Sequence, residues 1–384
     1  VQSFTESVIR EMTRVADQVG GVNLAQGMPD FRPPREIVEA AHRALEGDFH
    51  QYAVTWGAPS LRRAIVDKYR KFYGMELDPE RHVTVCCGST ETMLSTLLAV
   101  LNPGDEVIVF EPYYENYGPG CIISGAEPVY VPLEPPEFAF DPDRLRRAVS
   151  PRTRAIIFNS PNNPTGKVFS RAELEIIADL CLRHDLVAIT DEIYEHIVFD
   201  GLEHVPIATL PGMADRTVTI SGISKSYSVT GWRVGYALAS PEISLGIRRA
   251  HDFVTVGAPH PLQEAAVAAL TLPDTYYVWL RRMYQAKRDL LLGLLERAGF
   301  VVYRPRGAYY ILTDVAHFLE QHGVADDTAF AMFLVNAVGV ATVPGSSFYA
   351  HPELGGTKIR FCFPKSDEVL REAGERLAKL RLTR

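Results

Sequence analysis

The chain reads TISGISKSYSVTGWRVG over residues 219–235. A β-branched run, TVTI (217–220), leads into this stretch and passes at once into glycine-punctuated chain. Lys225 stands just past the end of the run, and Arg233 follows eight residues later. An amine at the end of a strand can attack a carbonyl, and a guanidinium close by can grip an oxyanion with two parallel hydrogen bonds. Most lysines are only solvated surface charges, so the pair takes its meaning from the rest of the chain.

Upstream, similar runs recur: HVTVCC (82–87), EVIVF (106–110), PVYVP (128–132), RAIIF (154–158) and LVAIT (186–190). Helical periods lie between several of them, as at 91–101 and 171–183. Strands alternating with helices predict an α/β fold, a mostly parallel sheet covered on both faces. Ligands of such sheets bind beyond the carboxyl ends of the strands. Five of the six runs are followed there by unusual clusters. They are Gly88-Ser89-Thr90, Glu111-Pro112-Tyr113-Tyr114, the loop SPNNP after Asn159, Asp191-Glu192-Ile193-Tyr194, and Lys225.

The flanks read differently. Residues 1–20 predict a short amphipathic helix stopped by Gly20-Gly21, and VNLAQGMPDFRPP (22–34) an extended loop in which something close to the backbone excludes a side chain at Gly27. Helical periods cover 36–45 and begin again near Pro59. Past Gly235 the pattern turns helical, with a long amphipathic stretch at 275–298. VVYRPRGAYYILTDV, VATVPGSSFY and KIRFCFP then supply separate strands, and a last helix starts near Ser366. This tail predicts a smaller α+β domain.

At 384 residues the chain can bury two cores, and 47% hydrophobic with 22% charged residues is ordinary for a globular protein. The net charge of −8 and the lack of a long basic run argue against a nucleic-acid partner. Five cysteines without a C-x-x-C predict reduced, buried thiols rather than a disulfide framework or a zinc ribbon. No apolar run is long enough to span a membrane, and the opening residues lack a signal pattern, so a cytoplasmic location is expected. The eleven histidines show no metal-ligand spacing, and no metal is expected. No G-x-G-x-x-G, Walker A or G-x-S-x-G motif sits where a nucleotide-binding enzyme or serine hydrolase needs it.

The strand-end residues match the chemical groups of pyridoxal 5'-phosphate: an aldehyde, a pyridine nitrogen, a phenolic oxygen and a phosphate. Lys225 suits the aldehyde as a Schiff-base amine. Asp191, after an apolar strand, suits the pyridine nitrogen, though a helix N-cap has the same pattern. Tyr194 and Asn163 can both reach the phenolic oxygen. Ser89 and Thr90 at a helix start suit the phosphate, with Arg233 adding charge, and they also suit an ordinary N-cap. Tyr114 can stack on the ring.

SPNNPTGKV, ITDEIY, SK followed by TGWRVG, and IRFCFPK resemble the marks of class I/II aminotransferases of the pyridoxal-phosphate fold type I group. VNLAQGMPDF, QYAVTWG, ITDEIYEHIVFDG and IATLPGM resemble the kynurenine/glutamine aminotransferase and cysteine-conjugate β-lyase branch, and prokaryotic aspartate and aromatic aminotransferases share most of these motifs. The resemblance implies a large cofactor-binding domain over 36–284 and a small domain from 1–35 and 285–384. It implies catalytic roles for Lys225, Asp191 and Tyr194, with Ser224 among the cofactor contacts. It implies that Arg360 binds the substrate α-carboxylate, helped by Asn163 and the backbone of Gly27. It also implies a homodimer in which Tyr52 of one subunit reaches the phosphate in the other.

The expected reaction moves an amino group between an L-amino acid, neutral or aromatic, and a 2-oxo acid; aspartate transamination and β-lysis of cysteine conjugates are the alternatives. Two departures stand out. Many relatives carry a serine where this chain has Gly222, leaving Ser221 or Ser224 to replace it. The loop Val256-Gly257-Ala258-Pro259 lacks the aromatic and histidine residues of kynurenine aminotransferases. No second arginine is assigned to a substrate side-chain carboxylate.

Overall fold

A computed structural model describes residues 7–381. Residues 1–6 of the expected opening helix and small domain lie outside it. The six apolar runs all form strands of one sheet: β1 (Val83–Cys86), β2 (Glu106–Glu111), β3 (Glu127–Pro132), β4 (Thr153–Asn159), β5 (Val187–Asp191) and β6 (Thr217–Gly222). A seventh, β7 (Gly235–Leu238), completes the order β1-β7-β6-β5-β4-β2-β3. β7 runs antiparallel to both neighbours, whereas the other six share one direction.

β7 corrects the reading that the chain becomes helical past Gly235. Four residues without alternation carry no strand period of their own. Long-range pairing makes the strand, with Gly222 opposite Gly235 and Cys86 opposite Gly235 on the other edge. Glycine is required at 235, because a Cβ there would lie 2.6 Å from the Ser89 amide nitrogen.

Alternation along the strands explains why both sheet faces are covered. Val107, Val109, Ala155 and Ile157 enter one core with Met93 and Leu97. Their neighbours Ile108, Phe110, Ile156 and Phe158 enter another with Leu174 and Ile177. Each strand therefore loses apolar surface to water on both sides, the arrangement a parallel sheet demands. The covering helices include α2 (Gly88–Val100) and α3 (Arg171–His184); a capping box between Ser170 and Glu173 starts α3.

The rest of the chain forms α1 (Val8–Val19), which ends in left-handed Gly20, then α4 (Pro241–Val254), α5 (Asp274–Ala298) and a four-stranded antiparallel sheet. Its strands are β8 (Val301–Tyr303), β9 (Tyr310–Asp314), β10 (Val343–Pro344) and β11 (Lys358–Cys362), in the order β10-β11-β9-β8. A third core joins Leu291 and Leu295 of α5 to Ile311, Ile359 and Phe361 of this sheet, and to Met12 and Ala16 of α1. The final helix, Asp367–Leu377, is capped by Ser366. Cys86, Cys121, Cys181 and Cys362 are buried free thiols and Cys87 is partly buried. Among the described residues no helix is long and apolar enough to cross a membrane.

Candidate active site

The carboxyl ends of the parallel strands open into a cavity of about 220 Å³. Lys225 reaches it from the loop after β6, with its amine 5.9 Å from the centre of the Tyr309 ring. Among the described residues that amine has no hydrogen-bond or ion-pair partner. Burial, then the nearby charge of Arg233, outweigh Asp191 and lower the pKa of Lys225 to about 8.

Asp191 ends β5 and lines the same cavity. Its Oδ2 accepts from the Tyr117 hydroxyl at 2.7 Å, and its Oδ1 from the Ile193 N–H at 3.2 Å. Burial nevertheless raises its pKa, and a cation set against this carboxylate would draw it back down. Tyr194 follows on the same loop, with its hydroxyl 3.0 Å from that of Tyr310. Tyr117 and Tyr310 were not singled out in the sequence. Three tyrosines in the five residues 113–117 read as packing, and which of them meets Asp191 depends on a contact 74 residues away.

Arg360, in β11, is fully buried. Its Nη1 donates to Asn163 Oδ1 at 2.9 Å and its Nη2 to the Ala25 carbonyl at 2.6 Å, while the guanidinium lies between the rings of Tyr310 and Phe348. Nε has no partner, and among the described residues no carboxylate pairs with this charge. A buried guanidinium held only by neutral acceptors is poised for an anion. Asn163 is held in turn by Asn159, whose Oδ1 accepts its N–H at 2.7 Å.

Ser89 and Thr90 open α2 at the cavity wall, beside Arg233. Gly88 has φ +80°, and a Cβ there would lie 2.4 Å from an Arg233 terminal nitrogen, so glycine lets the guanidinium approach the helix start. Tyr114 and Ser224 also line the cavity; burial raises the Tyr114 hydroxyl to about 12. Gly27 lines it too, its carbonyl taken by the Tyr309 hydroxyl at 2.6 Å; a Cβ there would run into Tyr310.

Of the two serines proposed to stand in at Gly222, only Ser224 faces the cavity. Ser221 is buried and donates to Glu195 at 2.8 Å. A side chain at 222 would press on the Val234 carbonyl, 2.8 Å from a Cβ. Tyr52 does not reach the cavity of its own chain and is 85% exposed. Arg10, from α1, does line the mouth, near Glu115 and Ser7. It has no side-chain partner among the described residues, and no spacing in the sequence pointed to it.

A sheet covered by helices on both faces thus gathers a lysine, an aspartate and a buried arginine around one cleft, a set suited to a substrate that carries both an amine and a carboxylate. The family model for aminotransferases of class I and II matches residues 19–377, and the chain belongs to that family. It is similar to the solved N-succinyldiaminopimelate aminotransferase from Mycobacterium tuberculosis, with 41% identity, a TM-score of 0.95, and 99% of this chain and 98% of that one covered. Human kynurenine–oxoglutarate transaminase 1 is 36% identical over 398 residues, covering 96% of this chain and 94% of its own. The methionine aminotransferase of Escherichia coli is 35% identical over 375 residues, covering 97% and 96%. The chain is thus an aminotransferase, and its family implies pyridoxal phosphate and amino-acid substrates.

Proposed function

We propose that this aminotransferase moves an amino group between an L-amino acid and a 2-oxo acid on pyridoxal 5'-phosphate held at Lys225. The reading is carried by one observation: an amine at Lys225 and a guanidinium at Arg360, neither with a carboxylate partner among the described residues, face the same cavity. The residues suit the cofactor, since an amine unpartnered among the described residues, the buried carboxylate of Asp191 and a guanidinium that Gly88 lets approach the start of α2 offer partners for its aldehyde, pyridine nitrogen and phosphate. When bound, the cofactor supplies an aldehyde and an electron sink.

The chain's own residues do the rest. Lys225, its pKa lowered to about 8, takes and returns the proton at the substrate α-carbon. Asp191, oriented by Tyr117, holds a proton at the pyridine nitrogen. Tyr194 and Asn163 hold the phenolic oxygen, and Tyr114 covers the ring. Ser89, Thr90, Ser224 and Arg233 hold the phosphate. Arg360 binds the substrate α-carboxylate with Asn163 and the Gly27 backbone beside it. Tyr52, exposed on its own chain, serves the phosphate of a partner in a homodimer. The large domain spans 36–284 and the small one 1–35 with 285–384.

Arg10 at the cavity mouth favours a long donor ending in an anionic group, the chemistry named for the Mycobacterium relative. A neutral or aromatic donor is the second reading, supported by the kynurenine and methionine relatives. Single-turnover spectra with each amino acid test the reaction. Conversion to the pyridoxamine form supports transamination, release of pyruvate and ammonia from cysteine conjugates supports lysis, and an unchanged spectrum rejects both. A donor-by-acceptor panel including N-succinyldiaminopimelate, kynurenine, glutamine, methionine, phenylalanine and aspartate, with Arg10→Ala alongside, separates the donors. Arg10 has no such role if the variant leaves every KM unchanged.

A further inference from the structure

Behind the opening turn of α2 lies a buried contact between a carboxylate and an imidazole to which the reaction gives no role. Glu91 folds back so that its Oε2 accepts the Cys87 N–H at 2.8 Å, and both its oxygens lie 3.1 Å from Nδ1 of His251 in α4. The other ring nitrogen, Nε2, lies 3.0 Å from the Thr55 carbonyl. The Thr255 hydroxyl lies 3.1 Å from the same Nδ1, so the ring bridges Glu91 and Thr255 on one side and the Thr55 carbonyl on the other. His251 is fully buried against Glu91. Although burial pushes Glu91 up, its bonds to His251, Ser95 and Cys87 bring the net shift down, as expected of a paired carboxylate.

Thr55 belongs to the 51–57 loop that carries Tyr52. The Gln51 carbonyl of the same loop lies 2.9 Å from Nδ1 of His260. Two histidines thus hold the backbone on either side of Tyr52, and one of them is also bonded to the helix that presents Ser89 and Thr90. Cys86 lies close to Glu91 and His251 in a grouping that could hold a metal. Two facts argue for a hydrogen-bonded relay instead: both imidazole nitrogens are engaged, and burial raises the Cys86 thiol far above its ordinary range.

We propose that Glu91 and His251 are positioning residues that lock the start of α2, which grips the phosphate of its own subunit, to the loop whose Tyr52 serves the phosphate of the other. This rests on the reading of Ser89, Thr90, Arg233 and Tyr52 as phosphate ligands. The test uses the full chain, stripped of cofactor and titrated by absorbance with pyridoxal 5'-phosphate and with pyridoxal, which lacks the phosphate.

His251→Leu is expected to weaken pyridoxal 5'-phosphate binding by about tenfold or more, the effect of losing one charge-assisted hydrogen bond, and to leave pyridoxal binding within about twofold. Glu91→Gln, which keeps size but turns one acceptor oxygen into a donor, is expected to shift affinity in the same sense by less, and it carries the test if His251→Leu fails to fold. Equal loss for both ligands would mean general loosening, and no loss for either would mean no coupling; each overturns the proposal. Arg233→Leu and Ser89→Ala serve as controls. If they leave phosphate-dependent affinity intact, the phosphate reading itself falls. If they weaken it while neither His251→Leu nor Glu91→Gln does, only the positioning pair falls.

Discussion

Among the fully buried arginines of this protein, Arg288 and Arg360 stand in opposite circumstances. Arg288 grips Asp200 with both terminal nitrogens at 2.7 Å and adds Asp289 through Nε at 3.0 Å. Arg360, equally buried, meets only an amide oxygen, a backbone carbonyl and two ring faces. Two lysines repeat the contrast. Lys68 lies 2.5 Å from Glu195 and 3.0 Å from the Tyr236 hydroxyl, and Glu195 raises its pKa despite burial. Among the described residues Lys225 has no such partner, and its pKa falls to about 8. A charge completed within the fold supports the fold, whereas one left open in a cavity is held ready for something that arrives from outside.

The largest test of the contrast is Lys225→Ala. Turnover is expected to fall by roughly 10³-fold or more with the fold retained. Single-turnover kinetics beside circular dichroism melting checks both halves, and near-normal turnover removes Lys225 from the mechanism.

Next comes Lys68→Met, which strands a buried Glu195 and should cost about 3–5 kcal/mol of stability. Urea unfolding measures it, and adding Glu195→Leu should restore most of the loss. An unchanged midpoint in the single variant would mean that the pair does not hold the fold.

Arg360→Leu should do the reverse. Amino-acid KM is expected to rise by about 10–100-fold across all donors, while unfolding stability stays level or improves. Loss of stability with KM unchanged would make Arg360 structural like Arg288.

The smallest effect is a pH dependence in the cofactor-free chain. Lys225 titrates near 8 when folded and near its ordinary 10.5 when unfolded. Below about 8 both states carry the proton, and the folded state bears the cost of a buried charge. Between 8 and 10.5 only the unfolded state keeps it, so stability should rise with pH across that window and level off above it. Melting curves of wild type and Lys225→Met, subtracted, should show that rise; a flat difference would mean that Lys225 is not held neutral.

Much of this site was legible early because strand ends and turn residues are local signals. Lys225, Asp191, Asn163, Ser89 and Arg233 each follow a recognisable run, and one cavity gathers all of them. Arg10, Tyr117 and Tyr310 were missed because a helix-surface arginine and clustered tyrosines look alike wherever they point. The Glu91–His251 link joins residues 160 apart, and no spacing announces it.

Sequence by itself determined the six apolar runs, their order with the intervening helices, and the kinds of residue at their ends, since period and turn chemistry are properties of neighbouring residues. Tertiary structure alone decided that β7 runs against the rest, that Ser221 serves Glu195 while Ser224 faces the cavity, and that Arg288 finds its carboxylates while Arg360 finds none. These outcomes depend on which distant chain segments meet and on how much water they exclude, and so appear only when the chain is folded.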